Sequence, residues 1–173
     1  MTKTDENLKT AFAGESMARN KYTFFASVAK KEGFEQIAAL FDETANNEKE
    51  HAKLNYKLLN GIKTTKENLE ECIQGEKYEF VQMYPEFEKQ ALADKNYDAA
   101  TLFRGLAKIE EEHFKRFSIL LKALEEGKVF KKDGITIWKC RECGHIHIAK
   151  DAPSICPVCK HAQAFFEIKA ENY

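Results

Sequence analysis

From residue 4 to residue 126, apolar side chains return every three or four positions, the spacing of one helix face, and this stretch holds a single proline, Pro85. Four amphipathic helices are predicted. The first carries Leu8, Phe12, Tyr22, Phe25 and Ala29 on its stripe and ends at Gly33. The second carries Ile37, Phe41, Thr44 and Leu58 and ends near Gly61. The third opens near Thr64, which with Glu67 has the spacing of a capping box. Its stripe runs through Leu69 and Ile73, then Phe80 or Glu79, then Met83 and Phe87. Pro85 is expected to kink this helix, because it lacks a backbone donor and crowds the preceding turn. The fourth carries Phe103, Leu106, Phe117, Leu120 and Leu124, and Gly127 closes it. Beyond Gly127 the period changes. Val129 to Trp138 alternates apolar residues with Lys and Thr, and Gly and Cys become frequent, which predicts short strands and turns. The expected layout is a helical domain over residues 1–128, a linker at 129–133 and a small domain over 134–173.

Four glutamates interrupt the apolar stripes. Glu15, Glu48, Glu76 and Glu110 each have apolar residues a turn away on either side. A buried carboxylate must be neutralised or partnered, and several converging ones call for protons or cations to balance them. Two of the four open a Glu-x-x-His motif, Glu48 to His51 and Glu110 to His113, with the copies 62 residues apart. Residues three apart share a helix face. The upstream glutamates are matched as well, Glu15 lying 33 residues before Glu48 and Glu76 lying 34 before Glu110. One Glu from each of two helices and Glu-x-x-His from each of the other two is the di-iron or di-manganese pattern of ferritin-like four-helix bundles. Carboxylate oxygen with imidazole nitrogen suits either metal. Glu79 is an extra acid, three residues after Glu76 and on nearly the same face.

Four of the five cysteines form two Cys-x-x-Cys pairs, Cys140/Cys143 and Cys156/Cys159, twelve residues apart. Four thiolates on two tight turns make a tetrahedral sulfur site, and spacing does not choose between zinc and iron. His145, His147 and His161 stand beside the pairs and read as surface residues, since four thiolates fill the site. Cys72 reads as a small hydrophobe on the apolar face of the third helix.

Composition narrows the setting. The 173 residues are 43% hydrophobic and 32% charged, with a net charge of -1. No basic excess or Lys/Arg cluster points to nucleic acid. No apolar run approaches membrane-spanning length, and the first twenty residues lack a hydrophobic signal region. Cys-x-x-Cys pairs in an unexported chain read as metal ligands or redox dithiols rather than structural disulfides, so a reducing cytoplasm is expected.

Taken together, AFAGESMARNKY (11–22), ETANNEKEHAK (43–53), GEKYEFVQMYPEF (75–87), EEEHFKRF (110–117) and the CRECG and CPVCK knuckles resemble the rubrerythrin family over essentially the whole chain. The resemblance implies a mainly α protein, a ferritin-like four-helix bundle followed by a small rubredoxin-like β domain. It implies that Glu15, Glu48, His51, Glu76, Glu79, Glu110 and His113 bind two irons, and that Cys140, Cys143, Cys156 and Cys159 bind one more, with zinc able to replace it in recombinant protein. Tyr22 and Tyr84 match tyrosines that hydrogen-bond to ligand carboxylates in the family. His51 and Glu79 match the positions between which one iron shifts on redox change. Lys160 departs from the glycine usual in free-standing rubredoxins. The implied activity is reduction of hydrogen peroxide to water in oxidative-stress defence. Electrons would come from a reduced rubredoxin or an NAD(P)H-dependent flavoprotein through the four-cysteine iron. The competing readings are ferritin-like iron oxidation and storage, and a zinc-ribbon interaction protein.

Chain length bears on assembly. In ferritin-like bundles helices two and three run parallel and need a long connection. From His51 to the end of helix two and from the start of helix three to Glu76, the rise is roughly 12 Å and 16 Å at 1.5 Å per residue. The link must then return about 28 Å, whereas five or so extended residues span about 18 Å. This favours a homodimer in which helices one and two of one chain pack on helices three and four of the other, over a dimer of complete single-chain bundles.

Overall fold

The computed structural model describes residues 2–171; Met1 and positions 172 and 173, at the outer ends of the two expected domains, lie outside the described residues. The chain divides into two compact units, the first ending at Thr64 and the second beginning at Thr65.

The first unit is a helical hairpin of α1 (Lys3–Lys31) and α2 (Glu35–Leu58). Thr2 starts α1 with a reciprocal cap. The Asp5 N–H donates to Thr2 Oγ1 at 3.2 Å, and the Thr2 N–H donates to Asp5 Oδ2 at 2.8 Å. Gly33 closes α1 at φ +83°, a conformation that favours glycine. At the end of α2 the left-handed residue is Asn60, at φ 54°, one place before the expected Gly61. The buried residues of the hairpin are all alanines: Ala26, Ala29, Ala38, Ala45 and Ala52. Such small side chains let the two backbones lie close. Aromatic pairs flank this seam, with Phe12 stacked on Tyr56 at 4.6 Å and Phe41 edge-on to Phe25 at 5.7 Å. Phe24, Leu40 and Leu58 remain 64%, 63% and 71% exposed. Full burial of such a side chain is worth about 1.5–3 kcal/mol, so the hairpin retains a large unused driving force for association.

In the second unit α3 (Thr65–Tyr78) passes through a π segment, Glu79–Met83, into α4 (Tyr84–Ala93). These three pieces make up the predicted third helix. The expected effect of Pro85 takes a specific form. The backbone stays helical at Tyr78 and Tyr84, and the turn widens just before the proline, which lies in the first turn of α4. Helix irregularities trace to such widened turns and to proline. After α4, Asn96 caps α5 (Tyr97–Glu125) by accepting the Ala99 N–H at 3.1 Å. Helix α5 packs on both α3 and α4. Ala91 and Ala100 are buried, and Phe80 meets Phe114 at 5.4 Å. Cys72 is exposed, contrary to expectation. The half-buried positions of α3 are Asn68, Leu69, Ile73 and Glu76, and Cys72 shares their face, four residues from both Asn68 and Glu76; the expected face was right, but it leaves Cys72 uncovered.

Beyond Glu125 the chain forms a three-stranded antiparallel sheet, in the order β2-β1-β3, of β1 (Lys131–Cys140), β2 (Ile146–Asp151) and β3 (Phe166–Ile168). Trp138 is its fully buried centre, surrounded by Cys140, Ala152, Cys156 and Phe166. A buried indole needs a partner for its N–H, and Trp138 Nε1 donates to the Ala149 carbonyl at 3.1 Å. Two of the four knuckle cysteines therefore belong to the core of this small domain.

Candidate metal centres

In the first unit Glu15 on α1 meets Glu48 and His51 on α2, with one ligand atom from each within 4.8 Å of the others. His51 Nδ1 lies 2.7 Å from Glu48 Oε2. The Glu48 side chain is 17% exposed and that of His51 is 54% exposed. Three-residue spacing puts both on one face, and Glu15 approaches from the neighbouring helix.

The second unit repeats this chemistry. Glu76 on α3 meets Glu110 and His113 on α5 within the same 4.8 Å. His113 Nδ1 is 2.7 Å from Glu110 Oε2 and 3.5 Å from Glu76 Oε2. Burial, then the charge of Glu110, pushes the Glu76 carboxyl above its ordinary range, while His113 partly offsets them. Glu79 opens the π segment. Its carboxyl is raised by burial and then by Glu110, again with His113 opposing. The Tyr84 phenol is raised by burial and by Glu79, Glu110 and Glu76, which places its ring beside the same carboxylates. Tyr22, on α1, packs against Phe25 and Phe41 at 6.4 Å and 6.3 Å. Carboxylates raised by burial and by one another are what a bound cation relieves. Two carboxylates with an imidazole in each unit are donors that suit iron.

The four cysteine sulfurs also lie within 4.8 Å of one another. Cys140 Sγ is 3.7 Å from Cys159 Sγ, and Cys143 Sγ is 3.6 Å from Cys156 Sγ. A disulfide would require about 2.05 Å. A tetrahedron with metal–sulfur bonds of about 2.3 Å has an edge of about 3.8 Å, so the knuckles are spaced for a metal. Backbone bonds fix them in parallel fashion. The Gly144 N–H donates to the Cys140 carbonyl at 2.9 Å, and the Lys160 N–H donates to that of Cys156 at 3.0 Å. Burial disfavours a Cys156 thiolate, but the N–H groups of Cys159 and Val158 together with the side chains of Cys159 and Cys143 bring that thiol down to about 6.

Sequence reading missed two features of these sites. The π segment at Glu79 left only an indirect trace, the ambiguity between Phe80 and Glu79 on the third stripe. His161 is not an idle surface residue: its Nδ1 lies 3.3 Å from Cys159 Sγ. The sequence carried no distinguishing signal for it, because Cys-x-x-Cys-x-His occurs at both knuckles, ending at His145 in the first and at His161 in the second.

Comparison with known proteins agrees with this chemistry. Residues 6–121 match the Rubrerythrin family model, and residues 138–167 match the model described as the rubredoxin-like domain of rubrerythrin. The chain is 48% identical to Rubrerythrin-1 of Clostridium acetobutylicum, covering 99% of this chain and 97% of that one. It is 45% identical to the rubrerythrin of Porphyromonas gingivalis, covering 99% and 92%. It is also 45% identical to that of Clostridium perfringens, covering 99% and 97%. The paired glutamate–histidine triads suit two irons and the four-cysteine knuckle suits one. With its ferritin-like helices and C-terminal sheet, the chain belongs to the rubrerythrin family, whose members are oxidoreductases.

Proposed function

We propose that this protein is a non-haem di-iron peroxidase that reduces hydrogen peroxide to water in oxidative-stress defence. The observation that carries this reading is the presence, in one chain, of two Glu/Glu/His triads and a tetrahedrally spaced set of four sulfurs. A store that only oxidises iron has no need of the last. Glu15, Glu48, His51, Glu76, Glu79, Glu110 and His113 would hold two irons, which when bound would supply the two electrons of the reaction H2O2 + 2 H⁺ + 2 e⁻ → 2 H2O. The carboxylates hold and charge-balance the metals, and the histidines supply neutral nitrogen. Glu79 and His51 would offer such a metal an anionic carboxylate and a neutral imidazole, the first suited to a more positive ion and the second to a less positive one. Tyr22 and Tyr84 orient ligand carboxylates by donating their phenol protons. Cys140, Cys143, Cys156 and Cys159 hold the iron that returns electrons one at a time. Those electrons come from a reduced rubredoxin or an NAD(P)H-dependent flavoprotein reductase in the cytoplasm; no helix of the described residues is long and apolar enough to cross a membrane.

In this reading residues 1–128 form the di-iron domain, 129–133 the linker and 134–173 the electron-transfer domain. Of the seven proposed ligands, three lie before the division at Thr64 and four after it, and only the six residues 59–64 separate α2 from α3. Together with the exposed apolar side chains of the hairpin, this supports a homodimer in which α1 and α2 of one chain complete the centre with α3 to α5 of the other. Iron-loaded protein given a rubredoxin, its reductase and NADH should oxidise NADH in step with added peroxide. Rapid oxidation and uptake of added Fe(II) with no peroxide-dependent NADH loss would instead favour the storage reading.

A further inference from the structure

The two helical hairpins repeat each other beyond their glutamates and histidines. Tyr22, Phe25 and Phe41 recur 62 residues later as Tyr84, Phe87 and Phe103. Their ring separations recur too, at 6.4, 6.3 and 5.7 Å in the first cluster and 6.3, 6.2 and 5.5 Å in the second. The seam between the helices breaks this repeat. In the second hairpin Phe80 and Phe114 meet at 5.4 Å, where the first has Arg19, 61 residues earlier, and Ala52, 62 residues earlier. Glu111, which pairs with Lys115 at 3.0 Å, stands at the place of Lys49. Two rings and an acid of one seam thus become a small side chain and two cations in the other.

The result is a groove of about 340 Å³ between α1 and α2, within the range of about 300–1,000 Å³ usual for small-molecule sites. Arg19, Lys49 and Lys53 line it beside the Asn20 amide, and no acid among the described residues does. Lys53 reaches Glu50 at 3.1 Å, but Arg19 and Lys49 have no ion-pair partner among the described residues. Phe12, stacked on Tyr56, gives the groove an apolar end. The site is separate from the metal ligands. At about 100° per residue, Lys49, Lys53 and Tyr56 are turned about 80–140° from Glu48 in one sense, and His51 about 60° in the other.

We propose that this groove binds the diphosphate group of a small molecule, with Arg19, Lys49 and Lys53 on the phosphate oxygens. A guanidinium takes two phosphate oxygens at once, and ammonium groups add point charges. A cleft lined by one sign of charge also concentrates counter-ions. A single phosphate ester carries about -1.5 to -2 charges, so three cations suit two linked phosphates. An acidic peptide spreads its charges along a chain, whereas these cations share one groove.

Isothermal titration calorimetry of full-length, metal-replete protein at low salt tests this, with inorganic diphosphate in one arm and ADP in the other. At least one should bind once per chain. Tighter binding of ADP would assign the ligand to the nucleotides, and tighter binding of diphosphate to the inorganic anion. Arg19→Gln/Lys49→Gln should weaken binding about tenfold or more, since each substitution removes a charged hydrogen-bond donor. Lys77→Gln/Lys89→Gln removes the same charge from the second hairpin and should leave the affinity at the parent value. Failure of both probes to bind the parent overturns the proposal. So does equal affinity in the parent and the Arg19→Gln/Lys49→Gln protein, or an equal loss in both double variants. Binding of a glutamate-rich peptide alone, lost in Arg19→Gln/Lys49→Gln, would overturn it in favour of an acidic protein partner.

Discussion

Glu79 sits half-buried at the first residue of the π segment, within the field of Glu110 and His113. Two predictions follow from that environment. Glu79→Ala should leave a folded protein with impaired peroxide turnover, measured at steady state on metal-replete protein; unchanged turnover would make Glu79 an ordinary acid. The metal-free protein gives the opposite sign for stability. Burial first, and Glu110 second, raises this carboxyl above its unfolded value of 4.5. Its contribution is therefore full below that value and is lost as pH rises through the folded-state value. Glu79→Gln should accordingly raise the Tm of metal-free protein at neutral pH and flatten its fall above pH 4.5. Lys160 offers a separate residue-scale test. It holds φ 63°, where Gly144 stands in the first knuckle. Lys160→Gly should relieve strain of about 1 kcal/mol, visible as a higher midpoint in guanidinium unfolding of zinc-loaded protein. Most ligand candidates were legible at this scale because carboxylates on apolar stripes conflict with burial. His161 was not, because counting four thiolates leaves out the lone pairs with which sulfur accepts hydrogen bonds.

At the scale of elements, period alone located the helices and the change to strands after Gly127. The alternation of Val129 to Trp138 became β1, with Trp138 turned inward. Periodicity could not reveal that the third helix contains a π segment. One widened turn shifts the stripe by a single residue, so Glu79 and Phe80 look like rival continuations of the same face. The widened turn starts at Glu79, a turn after Glu76. Removing one residue there, for example by deleting Val81, should restore an uninterrupted α-helix and turn the residues beyond it, Tyr84 among them, by one position relative to Glu76 and Glu79. Such a variant should retain its helical circular dichroism and its red four-cysteine band but bind less than two further irons per chain. Full iron loading would show that the π turn has no part in placing the ligands.

For the whole molecule, the short link between α2 and α3 bears on assembly, and the metal sites bear on electron flow. A chain carrying Glu48→Ala and His51→Ala, co-expressed with one carrying Glu110→Ala and His113→Ala, separates the two assemblies. If α1 and α2 are exchanged between chains, the heterodimer has one intact centre and recovers about half of the parent activity. If each chain builds its own bundle, both centres stay damaged and no activity returns. The central claim is that peroxide oxidises the glutamate–histidine centre and that the four-cysteine iron then refills it. Its most direct test is anaerobic stopped-flow mixing of fully reduced protein with hydrogen peroxide, following the return of the red four-cysteine band. In the parent the colour should return as peroxide is consumed. In the Glu48→Ala/His51→Ala protein, with its knuckle iron still loaded, colour should return far more slowly. Equally fast return in that variant, or no return of colour in the parent while peroxide is consumed, would contradict the claim.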